Sequence, residues 1–245
     1  MKILLVGSSG FIGKSLFDDL IGHYGFESVY LFKRHGNTHL KRNEITYSDL
    51  IEYNFDVVIN CSGVYTNNKI KSNAINYEYL VSFFTHLRVH SKLFVIHTSS
   101  YGIYNGNFDD EISFMTPAKP LNNYEISKLK AHKFIEKLTC RKCILIPTNV
   151  YSVVHRKVAF ARYFSFLGFS INTADIKVLN SEIISIIENK ENLSDTYIRF
   201  VNETYEYKKT RFIKGKKLIH KFFAKFFKIL VPHFLFFFDY RKFNM

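Results

Sequence analysis

The chain has only three cysteines in 245 residues: Cys61, Cys140 and Cys143. So few thiols, and an odd number, exclude a disulfide-stapled secreted scaffold and point to a reducing compartment, the cytoplasm. Cys140-Arg141-Lys142-Cys143 has C-x-x-C spacing. No second pair and no histidine cluster completes a zinc site, so both thiols read as packing at the start of a strand and no metal is expected. Proline is scarce too, at four residues, and no stretch rich in Pro, Gly and Ser divides the chain. There is no internal repeat. These gaps leave one large domain, or one domain with a small lobe, and an apolar share of 47% is ample for its core. An unbroken apolar run long enough to span a bilayer is also missing. The first run is interrupted by Gly7–Gly13, so no export signal is expected there.

Acidic residues are in short supply: 21 against 34 Lys and Arg, for a net charge of +13. The excess is concentrated. Residues 207–245 hold eleven Lys/Arg against Asp239 alone, and ten of the 26 phenylalanines, which leaves about +3 for the rest. Within this segment 218–231 reads as an amphipathic helix. Ile219, Phe222, Phe223, Phe226, Phe227 and Leu230 recur at helical spacing, with Lys217, Lys221, Lys225 and Lys228 on the other side. A basic face opposite a Phe/Leu face suits a helix lying in an anionic membrane surface. Packing on the substrate lobe, or a contact between subunits, is the other reading. Contiguous Phe is unlike the spaced aromatics of a strand-binding groove, so nucleic acid is not an expected partner.

At the other end, residues 2–6 form a short apolar run, as expected of a buried parallel strand. Gly7-Ser8-Ser9-Gly10-Phe11-Ile12-Gly13 follows and opens a helix over 11–20. Gly7 permits the turn, Gly10 a close approach to a pyrophosphate, and Gly13 tight helix–strand packing, with Phe11 and Ile12 between them. Free N–H groups at the helix start suit phosphate charge. The second strand, 28–32, ends in Lys33-Arg34, where a carboxylate would hold the ribose of NAD. Two cations there favour the 2′-phosphate of NADP(H) over NAD(H). A solvated basic loop is the plain alternative.

Strands are expected at 56–61 and 93–97, closed by Ser62-Gly63 and by Thr98-Ser99-Ser100. Ligands of an open α/β sheet gather at such carboxyl ends. A helix capped by asparagine then carries Tyr124 and Lys128, four apart and on one face. A free phenol titrates near pH 10 and is a poor acid–base at neutral pH. An ammonium beside it is expected to lower that value. Ser100 is placed to hydrogen-bond a carbonyl oxygen while Tyr124 protonates it. Strands alternating with helices indicate a doubly wound parallel sheet with right-handed crossovers.

These residues together resemble the extended short-chain dehydrogenase/reductase family of epimerases, dehydratases and reductases acting on sugar nucleotides. The resemblance covers roughly residues 1–152. It implies a Rossmann fold, a catalytic set of Ser100, Tyr124 and Lys128, and a role for Asn76 in the helix before the serine strand. The segments 58–63, 120–124 and 149–151 look most like the branch containing dTDP-4-dehydrorhamnose reductase. That branch implies NADPH-dependent reduction of a 4-keto-6-deoxy sugar on a nucleotide carrier, in cell-surface polysaccharide synthesis. The family often pairs subunits, so a homodimer is expected.

Three departures stand out. Ile146 replaces an arginine before Pro147, Ser152 replaces a glycine, and Asn180-Ser181 replace an acidic pair. The expected division is a catalytic domain over 1–152, a reduced substrate lobe with a returning helix–strand pair over 153–206, and the basic segment 207–245. The thin lobe and basic tail keep a lipid-linked sugar open as substrate, with peripheral attachment to the inner face of the membrane. An epimerase with tightly bound NAD, and a non-catalytic dinucleotide-binding scaffold or redox sensor, are the competing readings.

Overall fold

The structure, a computed structural model, describes residues 1–34, 43–105, 112–113, 115–152, 171–201 and 203–205. The elements run β1 (Ile3–Val6), α1 (Phe11–Tyr24), β2 (Val29–Phe32), β3 (Glu44–Ile45) and β4 (Val57–Asn60). Next come α2 (Lys69–Asn73), a π turn over Ala74–Glu78, α3 (Tyr79–His86), β5 (Phe94–Thr98) and α4 (Asn123–Glu136). The rest are β6 (Arg141–Pro147), β7 (Asn149–Tyr151), β8 (Ile171–Asp175), α5 (Ile176–Glu188), β9 (Thr196–Val201) and β10 (Glu203–Tyr205).

Seven strands form one sheet in the order β3-β2-β1-β4-β5-β6-β9, and every pair in it is parallel. The order reverses between β1 and β4, which opens a crevice at their carboxyl ends. This is the doubly wound Rossmann sheet expected from the alternation of strands and helices. The strands are covered on both faces and therefore read as plain apolar runs. Leu4, Val6, Val58, Val95, Ile144 and Ile146 pack on one face with Phe83 of α3 and Ala131 and Ile135 of α4. Ile3, Leu5, Val57, Ile59, Ile96 and Leu145 pack on the other, with Leu16 and Leu20 of α1 and Leu179 and Ile183 of α5. Burying each Val, Leu, Ile or Phe among these stabilises the fold by roughly 1.5–3 kcal/mol.

Helix α1 runs one turn past the expected end, because Ile21 and Tyr24 also pack against the core. It stops at Gly25, whose φ of 80° suits a residue without a Cβ. The returning pair joins the main sheet: β9 is its seventh strand, and α5 lies against α1. At that contact Asn180, which stands where an acid was expected, donates to Ser15 Oγ (3.0 Å) and Asp19 Oδ2 (2.6 Å). A second sheet, in the order β10-β8-β7, lies beyond β6. Residues 153–170, the first third of the expected substrate lobe, and residues 207–245 with the expected amphipathic helix lie outside the described residues.

Cys140 and Cys143 are free and buried, and they pack into opposite faces of the sheet. They therefore cannot share a metal ion. Among the described residues, no helix is long and apolar enough to cross a membrane.

Candidate active site

The turn between β1 and α1 is built on backbone contact. Gly7 has φ of 87°, and a Cβ there would stand 2.6 Å from Ser62 N. A Cβ on Gly13 would stand 2.2 Å from Gly7 O, and one on Gly10 would stand 3.2 Å from the same oxygen. Gly10 N donates to Gly7 O at 3.0 Å and closes the turn. Gly10 is also the N-cap of α1; no side chain caps it, and the first turn carries no acid. A helix start left this way suits an anion. The cradle, with Phe11 and Ile12 half-buried behind it, fits the pyrophosphate of a dinucleotide, and Ser62 of the neighbouring strand end closes its side.

Lys33 and Arg34 follow β2 on the same edge. Lys33 Nζ pairs with Glu44 Oε1 at 3.1 Å, while the exposed Arg34 guanidinium lies 4.8 Å over the Tyr79 ring. The two expected cations are thus unequal. Lys33 is drawn to a carboxylate from β3, a partner eleven positions away that local reading missed.

At the ends of β4 and β5 a polar network replaces apolar packing. Asn60 Oδ1 accepts from Ser62 N (3.1 Å) and Ser62 Oγ (2.6 Å), and its amide meets His97 Nδ1 at 2.9 Å. Burial drives His97 well below its ordinary pKa, with Lys128 and His132 adding to the effect, so it is neutral. The two adjacent serines separate. Ser99 is buried and bonds His132 Nδ1 at 3.0 Å. Ser100 accepts from Gly102 N at 3.2 Å and stands near enough to the Tyr124 hydroxyl to lower its pKa. Alternation along an extended backbone sends neighbouring side chains to opposite sides, and that sends Ser100 to the phenol.

Helix α4 begins where Asn122 Oδ1 accepts from Glu125 N at 3.0 Å. It brings Tyr124 to Ser100 and buries Lys128, whose ammonium donates to Thr98 O at 2.7 Å. Burial pulls Lys128 down to about 8. The net shift of Tyr124 runs opposite to the expected lowering. Burial raises the phenol above its ordinary value; the Ser100 hydrogen bond acts the other way, and the Glu125 carboxylate adds to the rise. Desolvation dominates because protein surrounds the half-buried phenol and the ammonium is turned to the Thr98 carbonyl. Tyr124 therefore holds its proton at neutral pH. Half-exposed Tyr65 stands edge-on to its ring, with centroids 4.7 Å apart.

Asn76 ties these parts together from the π turn, an insertion that often marks functional positions. It accepts from Val64 N (2.7 Å) and donates to Val64 O (3.1 Å) and Ser127 Oγ (2.9 Å), so the β4 loop is locked to α4. Gly63 sits within that lock. A Cβ there would lie 3.3 Å from Asn76 Oδ1 and 3.8 Å from Lys128 Nζ. The residues read from sequence thus fall along one edge of the sheet, from Gly7, Gly10 and Gly13 past Ser62 and Gly63 to Ser100, Tyr124 and Lys128. Tyr65 was missed and carries no local signal; Thr98 reads as a small residue at the strand end, and its carbonyl as the partner of Lys128 was not foreseen. Glu125 was also passed over, although Asn122-x-x-Glu125 has the spacing of a capping box.

The NAD dependent epimerase/dehydratase family matches residues 3–164 of the chain. No curated protein matches it. Among solved structures, UDP-glucuronic acid 4-epimerase from Bacillus cereus, in complex with NAD, is 19% identical with a TM-score of 0.64. That match covers 84% of this chain and 80% of the other. RMD from Pseudomonas aeruginosa, complexed with NADPH, is 19% identical with a TM-score of 0.62, again over 84% and 80%. WbmG from Bordetella bronchiseptica, in complex with NAD, is 13% identical with a TM-score of 0.64, over 84% and 74%. At such identities the likeness is one of fold.

Proposed function

The chain belongs to the NAD-dependent epimerase/dehydratase family, and from that premise we propose that it is an NADPH-dependent reductase of a 4-keto-6-deoxy sugar in cell-surface polysaccharide synthesis. The sugar is carried by a nucleotide or, given the basic tail, by a membrane lipid. One observation carries the choice of reduction: Tyr124 stands by Ser100 and is held protonated by burial. A reductase needs a phenol that gives a proton. An epimerase, starting from an alcohol, first needs a phenolate that takes one.

The bound dinucleotide supplies the hydride. Gly7, Gly10 and Gly13 admit its pyrophosphate, with Ser62 and Gly63 alongside and Asn76 holding their loop. Ser100 donates to the substrate carbonyl oxygen and lowers the cost of the charge that develops there. Tyr124 delivers its proton to that oxygen. Lys128, still cationic at pH 7 with a pKa of about 8, favours the phenolate left behind. Arg34, stacked on Tyr79, supports NADP(H), since no acid follows β2 to take a ribose hydroxyl; Glu44 competes for Lys33.

The test is binding of NADPH and NADH, then NADPH oxidation with a panel of 4-keto-6-deoxy nucleotide sugars. Turnover that vanishes in Tyr124→Phe while NADPH still binds supports the proposal. Failure to bind either cofactor overturns it, and purified protein carrying stoichiometric NAD transfers the case to an epimerase. Binding without turnover of any soluble sugar directs the search to lipid-linked substrates. Deleting residues 207–245 should then release the chain from anionic liposomes and leave NADPH binding intact.

A further inference from the structure

Glu125 follows Tyr124 in the first turn of α4, yet its side chain is buried, with only 3% of the residue exposed. A carboxylate at a helix start normally stays in water and interacts with the helix end from there. Burying one is costly unless donors surround it. Here Oε2 accepts from Leu121 N at 2.6 Å and Oε1 accepts from Asn105 Nδ2 at 2.5 Å. Leu121 precedes the helix cap. Asn105 ends the short 3-10 turn Tyr101–Tyr104, whose N-cap is Ser100. The carboxylate therefore spans two segments: the turn that begins at Ser100 and the helix that begins beside Tyr124.

The fit along that span is close. A Cβ on Gly102 would stand 3.2 Å from Glu125 Cγ and 3.2 Å from Ser100 Oγ. The Glu125 stem, the Gly102 backbone and the Ser100 hydroxyl are thus packed as successive layers. Outward movement of the carboxylate removes its tie to the turn that carries the Ser100 hydroxyl.

We propose that Glu125 is a positioning residue, whose bridge from Leu121 N to Asn105 holds the Ser100 hydroxyl against the Tyr124 phenol. The proposal rests on the reading of Ser100 and Tyr124 given above. It predicts a loss in kcat rather than in binding, because the partners of the bridge, Leu121 and Asn105, belong neither to the glycine cradle nor to Gly63 or Arg34.

The experiment compares Glu125→Ala, Glu125→Gln, Asn105→Ala and the double variant Glu125→Ala/Asn105→Ala. Both alanine variants should lower kcat about 10- to 100-fold, the effect of a reacting group misplaced by about 1 Å, with KM and NADPH affinity within about twofold. The double variant should be no worse than Glu125→Ala, since both cut one bridge. Glu125→Gln should restore most of kcat: its oxygen still accepts from Leu121 N, and its amide meets a flipped Asn105 amide. Hydrogen exchange across 100–105 should quicken in both alanine variants and not in Glu125→Gln. Unchanged kcat and exchange in Asn105→Ala overturn the proposal, as does a loss shared equally by kcat and NADPH affinity. Should Glu125→Ala not fold, Asn105→Ala severs the same bridge and decides alone. Absence of turnover in the wild type would instead sink the reductase reading, and exchange in Asn105→Ala would then decide the bridge by itself.

Discussion

The Gly7–Gly13 turn and the Ser100–Tyr124 pair lie on the same edge of one sheet but are held by different physics. At the first, backbone meets backbone. The missing Cβ atoms of Gly7 and Gly13 would stand 2.6 Å and 2.2 Å from main-chain atoms of Ser62 and Gly7, and a main chain cannot swing aside. At the second, side chains meet through hydrogen bonds and burial: Tyr124 beside Ser100, Lys128 to Thr98 O, Glu125 to Asn105. The first end has one solution and should fail abruptly. The second is a set of adjustable contacts and should fail by degrees, with chemistry lost before structure.

The sharpest test of the contrast is Gly13→Ala. One methyl group driven into Gly7 O should cost about 3 kcal/mol or more, as overpacking without room to relax, and should abolish NADPH binding; thermal denaturation and fluorescence titration read the two effects. Unchanged binding would break the comparison, because the cradle would then be adjustable too. Next in size is Tyr124→Phe, expected to lower turnover about 10²–10⁴-fold with NADPH affinity and melting temperature nearly unmoved. The two serines refine this. Ser100→Ala should cost about 10²-fold in kcat. Ser99→Ala should leave kcat nearly intact and cost about 1 kcal/mol of stability, from its lost bond to His132.

Lys128 should uncouple chemistry from stability. Its folded pKa of about 8 lies below its ordinary 10.5, so the unfolded chain binds the extra proton between those values. Stability should therefore rise with pH across that window, and below pH 8 the buried ammonium should cost about 3 kcal/mol. Lys128→Met should abolish turnover and yet stabilise the fold at pH 7 by about 1–2 kcal/mol, since the Thr98 carbonyl loses its donor. Urea unfolding at pH 7 and pH 10 should show this gain shrinking at the higher pH. The smallest expected effect is at Arg34. Arg34→Ala should weaken NADPH binding about tenfold and leave NADH unchanged, as for the loss of one charge-assisted contact. An equal loss for both cofactors would remove the argument for a 2′-phosphate.

Much of the scaffold was legible because its causes are local. Strands buried on both faces must be apolar throughout, so β1, β4 and β5 stand out as short runs ending in small residues. A turn that excludes every Cβ must be glycine. Tyr124 and Lys128 share a helix face by spacing alone. Other features depend on partners distant in the chain. Lys33 is compromised by Glu44 across β2 and β3. Asn180, in place of an acid, is used by Ser15 and Asp19 some 160 positions earlier. Glu125 was passed over because its partner Asn105 lies twenty positions earlier.

The order of residues was therefore enough to specify the sheet, the glycine cradle and the candidate trio, because periodicity, apolar runs and absent side chains act within a few residues of one another. The protonation of that trio was decided elsewhere. Whether Tyr124 gives or keeps its proton, and how readily Lys128 gives up its charge, depend first on how much water the folded chain leaves around them, and the order of residues does not display that.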